Sequence, residues 1–418
     1  MDFTQLDHLL QAAVPTVAPA IVCRVEQGGR LLFEEGYGWI NPMLKRQPVT
    51  PATLFDLAGL TQLFTTTACL RMWEAGLLQL DQPVAHFLPA FSGARYIGDG
   101  EDPLTKQPAP PPAPWFDHPY PIDAGAITFR HLLTHTSGLP AWRNLYRAAG
   151  APPLRPSTLH RAELLRRQMA GIETILRADF AYPPGQSYLQ SDLGMILLGA
   201  ALVRCTGDLT LADTIRNWVT GPLNLEAHYN PSCVVVDRVA PTEFCTWRQR
   251  RLHGEVHDEN AAGMGGIAGH AGLFGSAADL CKLGNLYLAG GLAAGGGRLL
   301  SRAVVEESIA PHVETVAEGL PLAEAVGPRG GLLTLAGGLR QGLGWRLRND
   351  PDPVCSTAFG PRSFGHTGAT GVSLWCDPDR DLVVALLTNR VYHGRNAEPL
   401  AQLRPAVHAA VVKALGAR

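Results

Sequence analysis

Strand-like runs lie at both ends of this 418-residue chain, and helical spacing fills the middle. Near the N-terminus, Ala20-Ile21-Val22-Cys23-Arg24-Val25 and Leu31 to Tyr37 flank Gly28-Gly29. Two β-rich runs about a Gly-Gly turn predict a hairpin. Near the C-terminus, Leu343–Leu347, Gly371–Cys376 and Leu382–Leu387 read as alternating strands. Between them, helical spacing runs over Thr61–Gly76, Arg130–Leu133, Leu159–Leu176, Leu193–Thr206 and Leu211–Trp218. Helices are also expected at residues 4–13 (Leu6, Leu9, Leu10) and from about Leu400 to Leu415. The arrangement implies an α+β fold: one antiparallel sheet built from both termini, with a mostly helical lobe inserted in its middle. Residues 1–55 and 275–418 are assigned to the sheet and 56–274 to the lobe.

Residues 94–123 break this pattern, with eight prolines and the aromatics Trp115, Phe116 and Tyr120. No helix or interior strand accommodates that density of proline, so the segment reads as a surface loop with polyproline II character, or as a lid or docking loop. The chain is 46% hydrophobic with a formal net charge of −2, enough apolar material for a large core. The balance of charge gives no reason to expect nucleic acid or an anionic membrane as a partner. The longest apolar run, Met195–Val203, is far shorter than the ~20 residues of a membrane-spanning helix. The first ten residues lack the basic and apolar regions of a secretory signal. Eight scattered cysteines with no C-x-x-C pair predict reduced thiols rather than a disulfide framework or a zinc site. The expected location is therefore the cytoplasm.

Six segments carry chemistry-related patterns in a fixed order. They are Leu54–Gln62 (LFDLAGLTQ), His131–Pro140 (HLLTHTSGLP), Pro184-Gly185 through Ser191-Asp192-Leu193-Gly194, Gly254–Ala261 (GEVHDENA) followed by Gly269–Phe274 (GHAGLF), Phe364–Gly368 (FGHTG), and Thr388-Asn389-Arg390. Together they resemble the β-lactamase and penicillin-binding serine hydrolases, especially the branch near class C β-lactamases and esterases. The resemblance implies that fold and a cleft in which a serine nucleophile, a lysine base and a tyrosine perform acyl transfer.

Each of those side chains is replaced here. The family uses S-x-x-K at a helix start, where serine and lysine share a face and the amine takes the hydroxyl proton. In this chain the positions are Gly59 and Gln62. A shift of register does not rescue the motif. The four lysines, Lys45, Lys106, Lys282 and Lys413, follow Pro42, Pro103, Asp279 and Ala410 by three residues, so S-x-x-K occurs nowhere. The family's Y-x-N or Y-S-D reads Gln190-Ser191-Asp192, with Tyr188 two residues early. The third element survives as His366-Thr367-Gly368, with Ala369 at the position that supplies an oxyanion-hole N–H in the family.

Three readings stay open. One is an inactive homologue whose cleft, around Gly59, Ser191, His366, Thr367, Gly368 and Ala369, binds a small-molecule or peptide-like ligand. The second is a working hydrolase, esterase or acyltransferase with a site rearranged around His366, Thr61 and Ser191, with Asp192 or His366 as base. The third is a purely structural partner. No cofactor is expected, and the pairs His131/His135 and His253/His257 with Asp258 are read as structural rather than as metal ligands.

Overall fold

In a computed structural model, which describes residues 1–112, 115, 118–232, 235–317, 334–350, 352 and 354–416, the two ends of the chain share one sheet. The expected hairpin forms from β1 (Ala20–Gln27) and β2 (Arg30–Gly38). Gly28 and Gly29 both take positive φ, 56° and 71°, the backbone that a two-residue turn between twisted strands demands. The C-terminal part contributes β3 (Val313–Ala317), β4 (Thr334–Gln341), β5 (Arg346–Leu347), β6 (Phe364–Thr367), β7 (Ser373–Asp377) and β8 (Leu382–Thr388). The eight strands run in the order β3-β4-β5-β6-β7-β8-β1-β2, every neighbouring pair antiparallel.

The central strands are covered on both faces. From β8, Leu382, Val384 and Leu386 pack with α1 (Thr4–Ala13) and α8 (Glu398–Leu415). Val383, Ala385 and Leu387 face the larger core shared with α7 (Ala277–Leu288) and the helical lobe. This corrects the expected alternation at Leu382–Leu387: every residue of β8 is buried, because apolar helices lie on both sides. Gly284 of α7 permits the close approach, since a Cβ there would stand 2.9 Å from Cys376 Sγ and from Val383 Cγ1.

The lobe contains α2 (Thr61–Glu74), α3 (Phe129–Leu133), α4 (Arg161–Leu176), α5 (Asp192–Thr206) and α6 (Glu259–Gly263). Helix α5 is apolar almost all round and is accordingly central, buried from Leu193 to Gly199. No single helix among the described residues is long and apolar enough to cross a membrane. The seven described cysteines are free thiols; Cys233 lies outside the described residues.

The proline-rich segment, of which Pro114 and Phe116 lie outside the described residues, is an ordered strap rather than an isolated loop. Ala94–Arg95 pairs with Ile122–Asp123 at its base, and Gly100–Glu101 pairs with Pro108–Ala109 as a small hairpin. Prolines fit these edge pairs because an edge leaves N–H positions unused. The strap is fastened to the lobe. Gly98 N–H donates to Phe180 O and Phe180 N–H to Tyr96 O, both at 2.9 Å. The guanidinium of the buried Arg95 lies over Phe91.

Candidate active site

The helix start that the sequence singles out is held by backbone and carboxylate contacts. Asp56, buried, accepts Ala58 N–H at 2.9 Å and His257 N–H at 2.6 Å, and so fixes the turn that leads into α2. Burial pushes the Asp56 carboxyl up to about 6 against these two donors. Ala58 adopts φ 44°, a left-handed backbone that a residue with a Cβ enters only under local constraint. The turn into α2 is therefore a constrained elbow, with Gly59 next in the chain.

Gly59 faces β6. A Cβ at this position would lie 2.9 Å from Thr367 O, 3.5 Å from His366 Cε1 and 3.7 Å from Gly368 Cα. The fold thus brings Gly59 and the His366-Thr367-Gly368 strand together, and so closely that the strand carbonyl crowds the space of a side chain. Gln62, the second residue of α2, is 2% exposed. Gly368 is required where it stands, since a Cβ would meet Leu57 O at 2.7 Å and Val372 Cγ2 at 2.6 Å. Its N–H donates to Val372 O, and Thr370 Oγ1 donates to Asp56 O at 2.8 Å, which docks the strand end on the elbow. Ala369 is exposed at this turn.

The hydroxyls in the region serve the fold. Ser191 Oγ donates to Pro140 O at 2.6 Å and accepts Gly194 N–H at 3.1 Å, which makes it the N-cap of α5. Thr61 Oγ1 accepts Leu273 N–H, and Thr65 Oγ1 donates to Gly269 O at 2.8 Å. All three are buried. Gln190 is half-buried. Tyr188 packs edge-on against His135, with ring centroids 5.9 Å apart, and shares a small core with Val313 and Leu339.

Two histidines near β6 are neutral. His366 donates from Nδ1 to Thr367 O at 2.8 Å, which leaves its lone pair on Nε2. Burial lowers its pKa to about 4, and Arg346 and Arg404 add to the effect against the pull of that carbonyl. His135 accepts Ser191 N–H at Nδ1, so its proton is on Nε2, and burial with the nearby His366 lowers it to about 3. His131 Nδ1 accepts Thr128 N–H in the capping box of α3, and His253 Nε2 bonds Val239 O. Among the described residues, neither His131/His135 nor His253/His257 falls in a group whose atoms could hold a metal ion.

A third group converges where sequence spacing gave no sign. Asp192, at the first position of α5, Asp258, the N-cap of α6, and His270 place donor atoms within 4.8 Å of one another. His270 Nε2 donates to Asp258 Oδ1 at 2.9 Å, and that oxygen also accepts Ala261 N–H at 2.7 Å. Burial opposes the charge on His270, but Asp258, Asp192 and the hydrogen bond carry its pKa up to about 8. Burial also opposes the charge on Asp258, yet His270 holds that carboxyl well below its usual range. Burial raises Asp192, with His270 acting in the opposite sense. Among the described residues these three are the set whose geometry could hold a metal ion. Lys106, at the tip of the strap hairpin, adds its ammonium to the same side, 3.5 Å from Glu259 Oε2. His270 stands in a quoted motif but nothing marked it or Lys106 as partners of Asp192, because the loop after α6 and the strap meet only in three dimensions. A cavity of about 850 Å3 lies elsewhere, between α4 and α5, lined by Ile172, Leu176, Ile196, Val203 and Met264.

Comparison with known proteins agrees with this architecture. The family described as Beta-lactamase matches residues 6–408. The chain is 26% identical over 422 residues to a putative D-alanyl-D-alanine carboxypeptidase of Escherichia coli (strain K12), covering 94% of this chain and 83% of that protein. Among solved structures, EstCE1, a hydrolase with promiscuous acyltransferase activity, superposes with a TM-score of 0.68 at 22% identity, covering 97% of each chain. A penicillin-binding protein homologue from Caulobacter crescentus does so with a TM-score of 0.66 at 17% identity, covering 98% of this chain and 97% of that one.

Proposed function

The chain belongs to the beta-lactamase family, and from that premise we propose that it is a member without acyl-enzyme chemistry, whose cleft binds a ligand that it does not cleave covalently. One observation carries the reading. At the helix start where the family places serine there is a glycine, and Thr367 O stands 2.9 Å from where its Cβ would be. Acyl transfer needs an activated nucleophile with room to approach a carbonyl carbon. Position 59 offers neither the side chain nor the room. Gln62 is a neutral amide and cannot replace a lysine base. Ser191, Thr61 and Thr65, the hydroxyls that could have substituted, are committed to caps and backbone contacts.

The strained Ala58 backbone and the close docking of the His366 strand support a retained binding cleft over a purely structural role. Unstrained alternatives would be cheaper by about 1–3 kcal/mol if the elbow had no further use. A thermal-shift screen of β-lactams and short acyl esters tests the proposal, with turnover read in parallel. The expected result is stabilisation by one or more compounds without turnover above buffer. Multiple turnovers per chain would remove it.

A second reading rests on His366. Its Nε2 lone pair is unprotonated at neutral pH beside Gly59 and could take a proton from water attacking a small ester, as a weak base given its lowered pKa. Turnover that disappears in His366→Ala would favour this reading over the first.

A further inference from the structure

Lys106 sits in an unusual place for a surface lysine. It ends the tight turn of the strap hairpin, where Asp102 Oδ1 accepts Leu104 N–H at 2.9 Å and Thr105 N–H at 2.6 Å, and Lys106 N–H donates to Asp102 O. Its own φ is 60°, a left-handed backbone in a residue with a Cβ. The ammonium lies 4.1 Å from the centre of the Trp142 ring, well inside the ~6 Å range of a cation–π contact. On another side, Glu259 Oε2 is 3.5 Å away, while Oε1 of the same carboxylate is held by Arg395 at 2.6 Å.

The walls of this seat are tied together by contacts that do not involve the lysine. Asp192 N–H donates to Ala141 O at 2.9 Å, which joins the start of α5 to the residue before Trp142. Asn260, the neighbour of Glu259, accepts Leu145 N–H and Tyr146 N–H and donates to Arg143 O, which ties α6 to the other side of Trp142. Trp142 is 2% exposed, its ring fixed by packing. Asp192 and Asp258 lie on the same side, and the Asp258 side chain is 22% exposed. An aromatic face with carboxylates beside it is chemistry that recognises a cationic amine, which aromatic and ionic contacts attract together.

We propose that Trp142, Glu259, Asp192 and Asp258 form a seat for a primary ammonium group beside the Gly59 cleft, that Lys106 of the strap occupies it in cis, and that the ligand of the cleft presents an ammonium of its own to displace it. This rests on the reading of the cleft as a binding site. It adds the class of ligand, a compound with a primary amine, and makes the strap a self-inhibitory plug.

The test uses the full chain as wild type, Lys106→Ala and Lys106→Met, with n-butylammonium as probe and n-butanol as its neutral counterpart. Hydrogen exchange is followed over residues 97–112, and binding by calorimetry. In Lys106→Ala the strap is expected to exchange at least tenfold faster than in wild type. The same variant should bind n-butylammonium at least tenfold more tightly than wild type, and n-butanol should not reproduce this. Lys106→Met, which keeps the apolar stem, should behave like Lys106→Ala in binding. Glu259→Gln added to Lys106→Ala should weaken the amine again. Equal n-butylammonium affinity in wild type and both variants, or equal binding of n-butanol, overturns the proposal. The readout is independent of covalent labelling, so a reactive nucleophile elsewhere in the cleft would defeat the proposed function and leave this result standing.

Discussion

The two sides of the candidate site differ in kind. On the Gly59 side the covalent machinery is absent, and the β6 carbonyl of Thr367 has only 2.9 Å to the place of a side chain. On the Asp192 side stand an ion pair between the half-buried Asp258 and the buried His270, a second carboxylate and a lysine from a distant strap. The first side costs the fold little, since a glycine and a glutamine bury no charge. The second is costly, because ions removed from water must be repaid by good partners. Under the proposed function, costly electrostatics beside a position without an activated nucleophile would hold a ligand without breaking its bonds, and the contrast would separate binding from bond-making.

The contrast is broken most severely from the charged side. Asp258→Asn preserves the helix cap, because asparagine is as good an N-cap, but removes the charge that keeps the buried His270 protonated; the expected loss is about 2 kcal/mol, read as a lower urea midpoint at pH 6. If the loss stays below that of an ordinary surface change, the pair is not the charged unit described. The same pair gives a pH signature. His270 rises from 6.5 to about 8 on folding, so its contribution is complete below pH 6.5 and disappears as pH climbs through 8. At 1.36 kcal/mol per unit this amounts to about 2 kcal/mol. Unfolding followed at pH 6 and pH 9 should show it, and His270→Gln should flatten that interval.

From the closed side, Gly59→Ala should cost about 1–2 kcal/mol as overpacking against Thr367, whereas an alanine at Gly295 or Gly297, where nothing lies within 4 Å, should not. Gly59→Ser carries the same Cβ and should show the same loss without gaining reactivity. The smallest effect is expected at Ser191→Ala, about 1 kcal/mol for a lost cap and no change in ligand binding. A large change in ligand binding there would assign the hydroxyl to the cleft.

Much of this was legible in the chain itself, for identifiable reasons. Gly28-Gly29 announces its turn because few residues accept two positive φ values in succession, and His366-Thr367-Gly368 announces the site strand because the close packing at 368 admits only glycine. The absence of S-x-x-K could be read by enumerating four lysines. The strand at Leu382–Leu387 was harder: its period depends on which faces are covered, and the two terminal helices cover one face while α7 and the helical lobe cover the other. The proline-rich segment declares where interior strands are excluded but not that short edge pairs fasten it to Phe180. The meeting of Lys106, Asp192, Asp258 and His270 lies beyond local patterns altogether, since it depends on how the strap and the loop after α6 fold back onto the start of α5.

The central claim is that nothing in this cleft can be acylated, and intact mass after incubation with a fluorophosphonate tests it most directly. The account predicts the unmodified mass after prolonged exposure, with an active serine hydrolase labelled fully in the same tube. A stoichiometric adduct mapped to a residue around the Ala58 elbow or the His366 strand would contradict it.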